Sequence, residues 1–74
     1  MVSTTPRVNG QIRAPEIRLV AEDGAELGVF ALADAFHLAQ GRSLDLIEIG
    51  PSEQPPRCCL MDYGRFKYQQ RNAQ

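Results

Sequence analysis

The sequence predicts an α+β domain: a four-stranded mixed sheet, made of a β-hairpin, a βαβ unit and a fourth strand, with one helix packed on a face and a second helix at the carboxy-terminal end. Three observations carry this. Apolar residues alternate in "EIRLV" and the chain returns in "LGVF" after an Asp-Gly turn. An apolar stripe of helical period follows in "ALADAFHLAQG". Two more short strand-like runs, "LDLIEI" and "RCCLMD", come next, separated by a loop rich in proline.

In the first strand Ile17 and Leu19 share one side, and Arg18 and Val20 the other. The segment "AEDGAE" turns the chain, and Asp23-Gly24 reads as a two-residue hairpin turn because both positions tolerate positive φ. In the next segment Leu32, Ala35, Phe36 and Ala39 fall at i, i+3, i+4 and i+7, which predicts a helix over Leu32 to Gln40 that stops before Gly41. Its start is weakly marked, since Ala31 has no side-chain acceptor, although Asp34 suits the positive end of the helix dipole. His37 lies off the stripe and faces solvent.

The third strand puts Ile47 and Ile49 on one side and Leu46 and Glu48 on the other. The strands flanking the helix are expected to run parallel, joined by a right-handed crossover. "GPSEQPP" cannot sustain a ladder and is read as a loop. In the fourth strand Cys58 and Leu60 share one face, while Arg57, Cys59 and Met61 share the other. One cysteine is thus expected in the core and the other on the far, exposed side. From Tyr63 onward Gln, Arg and Lys predominate without proline, the composition of a helix.

At 74 residues, 43% of them apolar and 23% charged, the chain has material for one small domain. A domain of this size buries only about 60% of the surface its unfolded chain exposes, so a wide catalytic cleft would consume core it needs. No apolar run approaches the roughly 18 residues that span a bilayer, and "MVSTTPRVNG" lacks the apolar middle of a secretory signal, so a cytoplasmic setting with no membrane partner is expected. Adjacent strand residues point apart, which argues against a disulfide between Cys58 and Cys59. With one histidine and no CxxC pair there are too few soft ligands for a tetrahedral metal site, and a Cys59 and His37 nucleophilic pair has no further support. Neither GxGxxG nor a P-loop occurs, so neither a cofactor nor a catalytic residue is assigned.

The net charge of −1 conceals a division along the chain. Residues 1 to 18 carry Arg7, Arg13 and Arg18 against Glu16, a net +2. The middle, to Glu53, holds Arg42 against seven carboxylates, a net −6, and the rest is +3 through Arg57, Arg65, Lys67 and Arg71 against Asp62. Positive ends on an acidic body suit a protein that touches a polyanion with its termini. In the closing helix Tyr63, Phe66 and Gln70 share an arc, and Lys67 and Arg71 stack beside it at i, i+4. Bases interleaved with aromatics, here including Tyr68, suit folded RNA, where cations meet phosphates and rings stack on bases. Amphipathic packing explains Tyr63 and Phe66 as well, and solvation alone explains the bases.

The runs "RVNGQIRAPEIRLV", "LGVFALADAF", "DLIEIGPSEQPPRC" and above all "MDYGRFKYQ" resemble the amino-terminal domain of bacterial translation initiation factor three, from Arg7 to about Gln70. Four positions depart from the family's habit. Arg57 stands where an apolar residue is usual and Cys59 where a base is usual, which keeps a positive charge on the same strand face two residues away. Asn72 stands where the signature closes with Lys, Arg or Gln. Ala31 replaces a serine at the helix start, at a cost of about 1 kcal/mol.

The resemblance implies a non-enzymatic domain, residues 1–62, followed over residues 63–74 by the start of a basic interdomain linker helix, with the carboxy-terminal domain absent. It implies a monomer that binds the small (30S) ribosomal subunit through 16S rRNA and ribosomal proteins, helps prevent premature subunit joining, and helps select initiator tRNA and start codon. Matching family positions nominate Arg13, Tyr63, Arg65, Lys67 and Arg71 for RNA or ribosome contact. Charge adds Arg7 and Arg57, and its place among the bases adds Tyr68. Two rivals stand beside this: a small β-grasp-like protein-protein interaction module, and a thiol-dependent regulator using Cys59.

Overall fold

The computed structural model describes the backbone of residues 6–72 and the side chains of residues 6–69. Strands β1 (Glu16–Val20), β2 (Glu26–Ala31), β3 (Asp45–Gly50) and β4 (Arg57–Met61) form one sheet, with helix α1 (Leu32–Gly41) between β2 and β3 and helix α2 (Tyr63–Asn72) after β4. A short 3-10 turn, Asn9–Gln11, precedes the sheet. The order across the sheet is β2-β1-β4-β3. β1 pairs antiparallel with β2, β3 antiparallel with β4, and β1 parallel with β4. The fold is therefore α+β with a mixed sheet, as the sequence predicts. β2 and β3 run in the same direction, as strands joined through a crossover helix should, but they lie at opposite edges. The hydrogen-bonded parallel pair is β1 with β4.

The edge strand β3 is buried along with the central pair, and helix α1 lies on one face of the sheet, over apolar residues of β1, β3 and β4. Its stripe packs Ala35 and Ala39 fully, and Leu32, Phe36 and Leu38 partly, against Ile12, Ile17, Leu19, Leu46, Cys58 and Leu60. The two alanines add no bulk between helix axis and sheet, so large strand residues fill the layer. The first helical N–H, that of Leu32, donates to the Pro15 carbonyl at 3.0 Å, while Ala31 offers no side-chain cap to the N–H groups that follow. His37 is exposed, as expected.

Three local features differ from the sequence expectation. The hairpin loop is longer than two residues: Gly24 N–H reaches the Ala21 carbonyl at 2.9 Å, and only Gly24, at φ +91°, takes a positive φ. Asp23 instead accepts Ala25 N–H at 3.0 Å, which stabilises a three-residue loop of type I shape. Helix α1 does not use Gly41 as its stop. Ser43 N–H meets the Gln40 carbonyl and Leu44 N–H the Ala39 carbonyl, a Schellman closure with Ser43 in the left-handed region at φ +56°. Cys59 lies on the face away from α1 but is only 6% exposed. On that face it stands directly between Val20 of β1 and Ile47 of β3, two branched side chains that overtop a small one.

The outer edge of β3 is not open. Val8 bridges to Ile47, and Glu48 N–H donates to the Arg7 carbonyl at 2.9 Å, so the amino-terminal arm lies along it.

Candidate functional site

The arm and the root of α2 meet at β3. Asn9, in the left-handed region at φ +51°, directs its amide at the start of that strand. Its Oδ1 accepts Leu46 N–H at 2.9 Å and its Nδ2 donates to Asp45 Oδ1 at 3.0 Å. The other carboxylate oxygen of Asp45 accepts Tyr63 N–H at 2.9 Å. Asp62, just before α2, accepts Arg65 N–H on its side chain at 3.0 Å and Phe66 N–H on its carbonyl at 2.9 Å. Asp62 is thus the helix N-cap, and two carboxylates face the positive end of the α2 dipole.

Beyond its root α2 exposes most of its described side chains. Tyr63 and Phe66 are half-buried, and residues 67–69 are exposed. The Tyr63 and Phe66 rings stack with centroids 6.2 Å apart, and Lys67 Nζ lies 5.5 Å from the Tyr63 ring centre. The cation–π contact orients Lys67 without neutralising it. Tyr68 is 67% exposed, a large ring with nothing covering it among the described residues. The Arg71 backbone is the penultimate position of α2, and its side chain lies outside the described residues.

The arginines nominated by charge divide into two groups. Arg7 is tied to Glu48 at 3.1 Å, and that carboxylate is only 5% exposed. Arg57 is tied to Glu53 at 3.3 Å, while Glu53 also approaches Arg18 at 3.6 Å and Arg18 meets Glu26 at 3.0 Å. This cluster depends on Gly50, since a Cβ there would stand 2.6 Å from Glu53 Oε2. By contrast, Arg13 and Arg65 are exposed and, like Lys67, have no carboxylate within salt-bridge distance among the described residues. The structure brings Tyr63, Arg65, Lys67 and Tyr68 together on α2, puts Arg7 and Arg13 on the arm, and leaves Arg57 in the Glu53 cluster.

Sequence reasoning missed Asn9, Asp45, Asp62 and Glu53. Asp62 was detectable as a capping residue ahead of a helix. Asp45 was not, because its partners lie 36 and 18 residues away.

Neither cysteine suits thiolate chemistry. Burial first, then Glu48 and Cys59, push the Cys58 thiol up to about 12, and burial raises Cys59 against the opposing pull of Arg57. Among the described residues no three His, Cys, Asp or Glu side chains gather as metal ligands, and no helix is long and apolar enough to cross a membrane.

A sheet backed by one helix, with a second, basic helix projecting from it, defines a small domain that presents charge on its surface rather than an enclosed cleft. The chain belongs to the family described as translation initiation factor IF-3, N-terminal domain, whose sequence model matches residues 8–74. It is similar to the translation initiation factor IF-3 of Streptomyces avermitilis, 53% identical over 68 residues, covering 92% of this chain and 28% of that protein. The Neisseria meningitidis factor is 52% identical over 64 residues, covering 86% of this chain and 37% of its own length. That of Ralstonia nicotianae is 55% identical over 64 residues, covering 86% and 36%. The chain therefore spans about a third of the length of these relatives.

Proposed function

We propose that this chain binds the small ribosomal subunit through Arg13 on the arm and Arg65, Lys67, Tyr68 and Arg71 on α2, and thereby helps prevent premature subunit joining and select initiator tRNA and start codon. Residues 1–62 form the amino-terminal domain, and residues 63–74, which carry Arg65, Lys67, Tyr68 and Arg71, begin a linker to a further domain. Its role is binding rather than catalysis, in the cytoplasm, as a monomer. Membership of the initiation-factor family supports the setting, and one observation carries the choice of surface. Among the described residues Arg13, Arg65 and Lys67 lack carboxylate partners, as does Arg42 at the C-terminal end of α1, whereas Arg7, Arg18 and Arg57 are already paired. Of these unpaired bases only Arg65 and Lys67 stand on one helix beside an open aromatic ring. An unpaired cation can exchange its counterions for a phosphate without first breaking an ion pair.

Tyr63 and Phe66 hold the root of α2, and Tyr68 offers an open ring for stacking on an unpaired base. A surface with so few contacts binds weakly by itself, near the range of about 10⁻⁴ to 10⁻⁶ M, and gains occupancy when tethered to a domain that anchors it. The test is a titration of the chain against small subunits at several salt concentrations. Replacing Arg65 and Lys67 with Gln should flatten the slope of log affinity against log salt by about 1.4, at roughly 0.7 per contact. An unchanged slope would assign these bases to solvation and return the surface to a protein-protein module.

A further inference from the structure

We propose that Asp45 is a positioning residue: its carboxylate clamps the root of α2 to the amino-terminal arm, so that Arg13 and the α2 bases are presented as one cationic surface. This rests on the functional reading above for what the surface meets, but the clamp itself stands on hydrogen bonds. Asp45 Oδ1 holds Asn9 Nδ2 at 3.0 Å and Asp45 Oδ2 holds Tyr63 N–H at 2.9 Å. One carboxylate thereby joins three elements: the arm, the first residue of β3 and the first residue of α2.

The bond to Tyr63 exceeds what the helix needs for capping. An N-cap side chain satisfies the second or third helical N–H, and Asp62 does so at Arg65. The first N–H, that of Tyr63, is taken by a residue 18 positions earlier in the chain. Apolar packing would be the alternative way to fix the axis of α2, yet Tyr63 and Phe66 are only half-buried and the other described side chains of the helix are exposed. The arm is held in a corresponding way. Asn9 uses its oxygen on Leu46 N–H and its nitrogen on Asp45, and its φ of +51° is a conformation that asparagine accepts more readily than most residues.

The donor and acceptor pattern supplies a specific test. An asparagine at position 45 has one acceptor oxygen. If it accepts Tyr63 N–H, its own amide group faces that of Asn9, donor against donor. Asn9 cannot rotate to relieve this without turning its amide toward Leu46 N–H. The double variant Asn9→Asp with Asp45→Asn exchanges the two groups at unchanged net charge. The carboxylate now on the arm accepts both Leu46 N–H and the new side-chain amide of β3, whose oxygen is left to accept Tyr63 N–H.

Residual dipolar couplings of the α2 amides, referred to those of the sheet, report the axis of α2, and small subunits serve as the binding probe. Asp45→Asn should change the α2 couplings and weaken subunit binding by about tenfold or more, as for the loss of one charge-assisted hydrogen bond. The double variant should restore both. Asn9→Gly keeps the backbone conformation and cuts the arm's side-chain link to Asp45, the arm staying paired to β3 through Arg7 and Val8. It should leave the α2 couplings in place and weaken binding less than Asp45→Asn. If Asp45→Asn alone unfolds the chain the double variant decides, and α2 couplings that it fails to restore would overturn the clamp. Unchanged α2 couplings in a folded Asp45→Asn chain would overturn the clamp. A reoriented α2 with undiminished affinity would overturn the single surface. Failure of the unsubstituted chain to bind subunits would sink the functional reading instead, while the couplings would still decide whether Asp45 sets the helix axis.

Discussion

Arg7 offers the sharpest test of how the arginines divide, because its charge suggests phosphate contact and its geometry suggests a strut. Its guanidinium lies 3.1 Å from Glu48 Oε1, on a side chain that is itself 56% exposed, against a carboxylate that is 5% exposed. Arg7→Gln leaves the backbone pairing to β3 intact and removes only the cation. A buried acceptor deprived of its partner costs about 1 to 3 kcal/mol and a charged one more, but the solvent already around the Arg7 head can take its place at the carboxylate and reduces this to about 1 to 2 kcal/mol. For a domain of this size each kcal/mol lowers Tm by about 4 to 8 °C, so Arg7→Gln should melt about 4 to 16 °C lower.

Glu48→Gln removes the charge that needs Arg7. The loss in the double variant should fall short of the sum of the two single losses by about 1 kcal/mol, the signature of a coupled pair. Thermal denaturation followed by circular dichroism measures all four proteins, and subunit titrations across salt measure the other role. Since Arg7 is pinned, Arg7→Gln should change the salt slope by much less than the roughly 0.7 of a phosphate contact. An unaltered Tm together with a slope reduced by about 0.7 would refute the strut and make Arg7 a contact residue.

Alkaline pH should weaken the fold through Cys58. Its thiol is raised from 9.0 to about 12, so the unfolded chain loses that proton first and stability falls from about pH 9 until about pH 12. Between about pH 9 and 10.5 the loss approaches about 2 kcal/mol for this thiol, at about 1.4 kcal/mol per pH unit. Urea unfolding of the wild type and Cys58→Ala should show a shallower decline in the variant, and parallel declines would remove Cys58 from the account. Ser43→Gly should raise Tm by about 2 to 4 °C, because relief of a left-handed φ, about 1 kcal/mol, exceeds the extra freedom of glycine in the unfolded chain, about 0.5 kcal/mol. A lower Tm would mean that Ser43 contributes more through its side chain than its backbone conformation costs.

Period and turn chemistry were enough to place the strands, α1 and the start of α2, because these depend on neighbours within a few residues. Ile17 with Leu19 and Ala35 with Ala39 declare their faces by spacing alone, and the run from Leu60 to Gln69 carried the family resemblance. The connection between β1 and β2 was harder to read, since Asp23-Gly24 serves two-residue and three-residue loops alike and the choice lay in whether the Asp23 side chain held Ala25 N–H. Burial of Cys59 depended on Val20 and Ile47, which arrive from two other strands.

The candidate surface was legible as a list of bases but not as a set of free ones. Arg7 and Arg13 look alike in sequence, yet the first pairs with a carboxylate 41 residues away and the second stands exposed. Asp45 looked like one more acid in an acidic middle, and only the approach of the arm and α2 to its two oxygens made it a joint. Local order is set by interactions whose partners the sequence prints side by side. Charge pairing acts through space over a few ångströms, so which cations remain available for an anion was decided when the sheet brought distant carboxylates up to some arginines and left others in water.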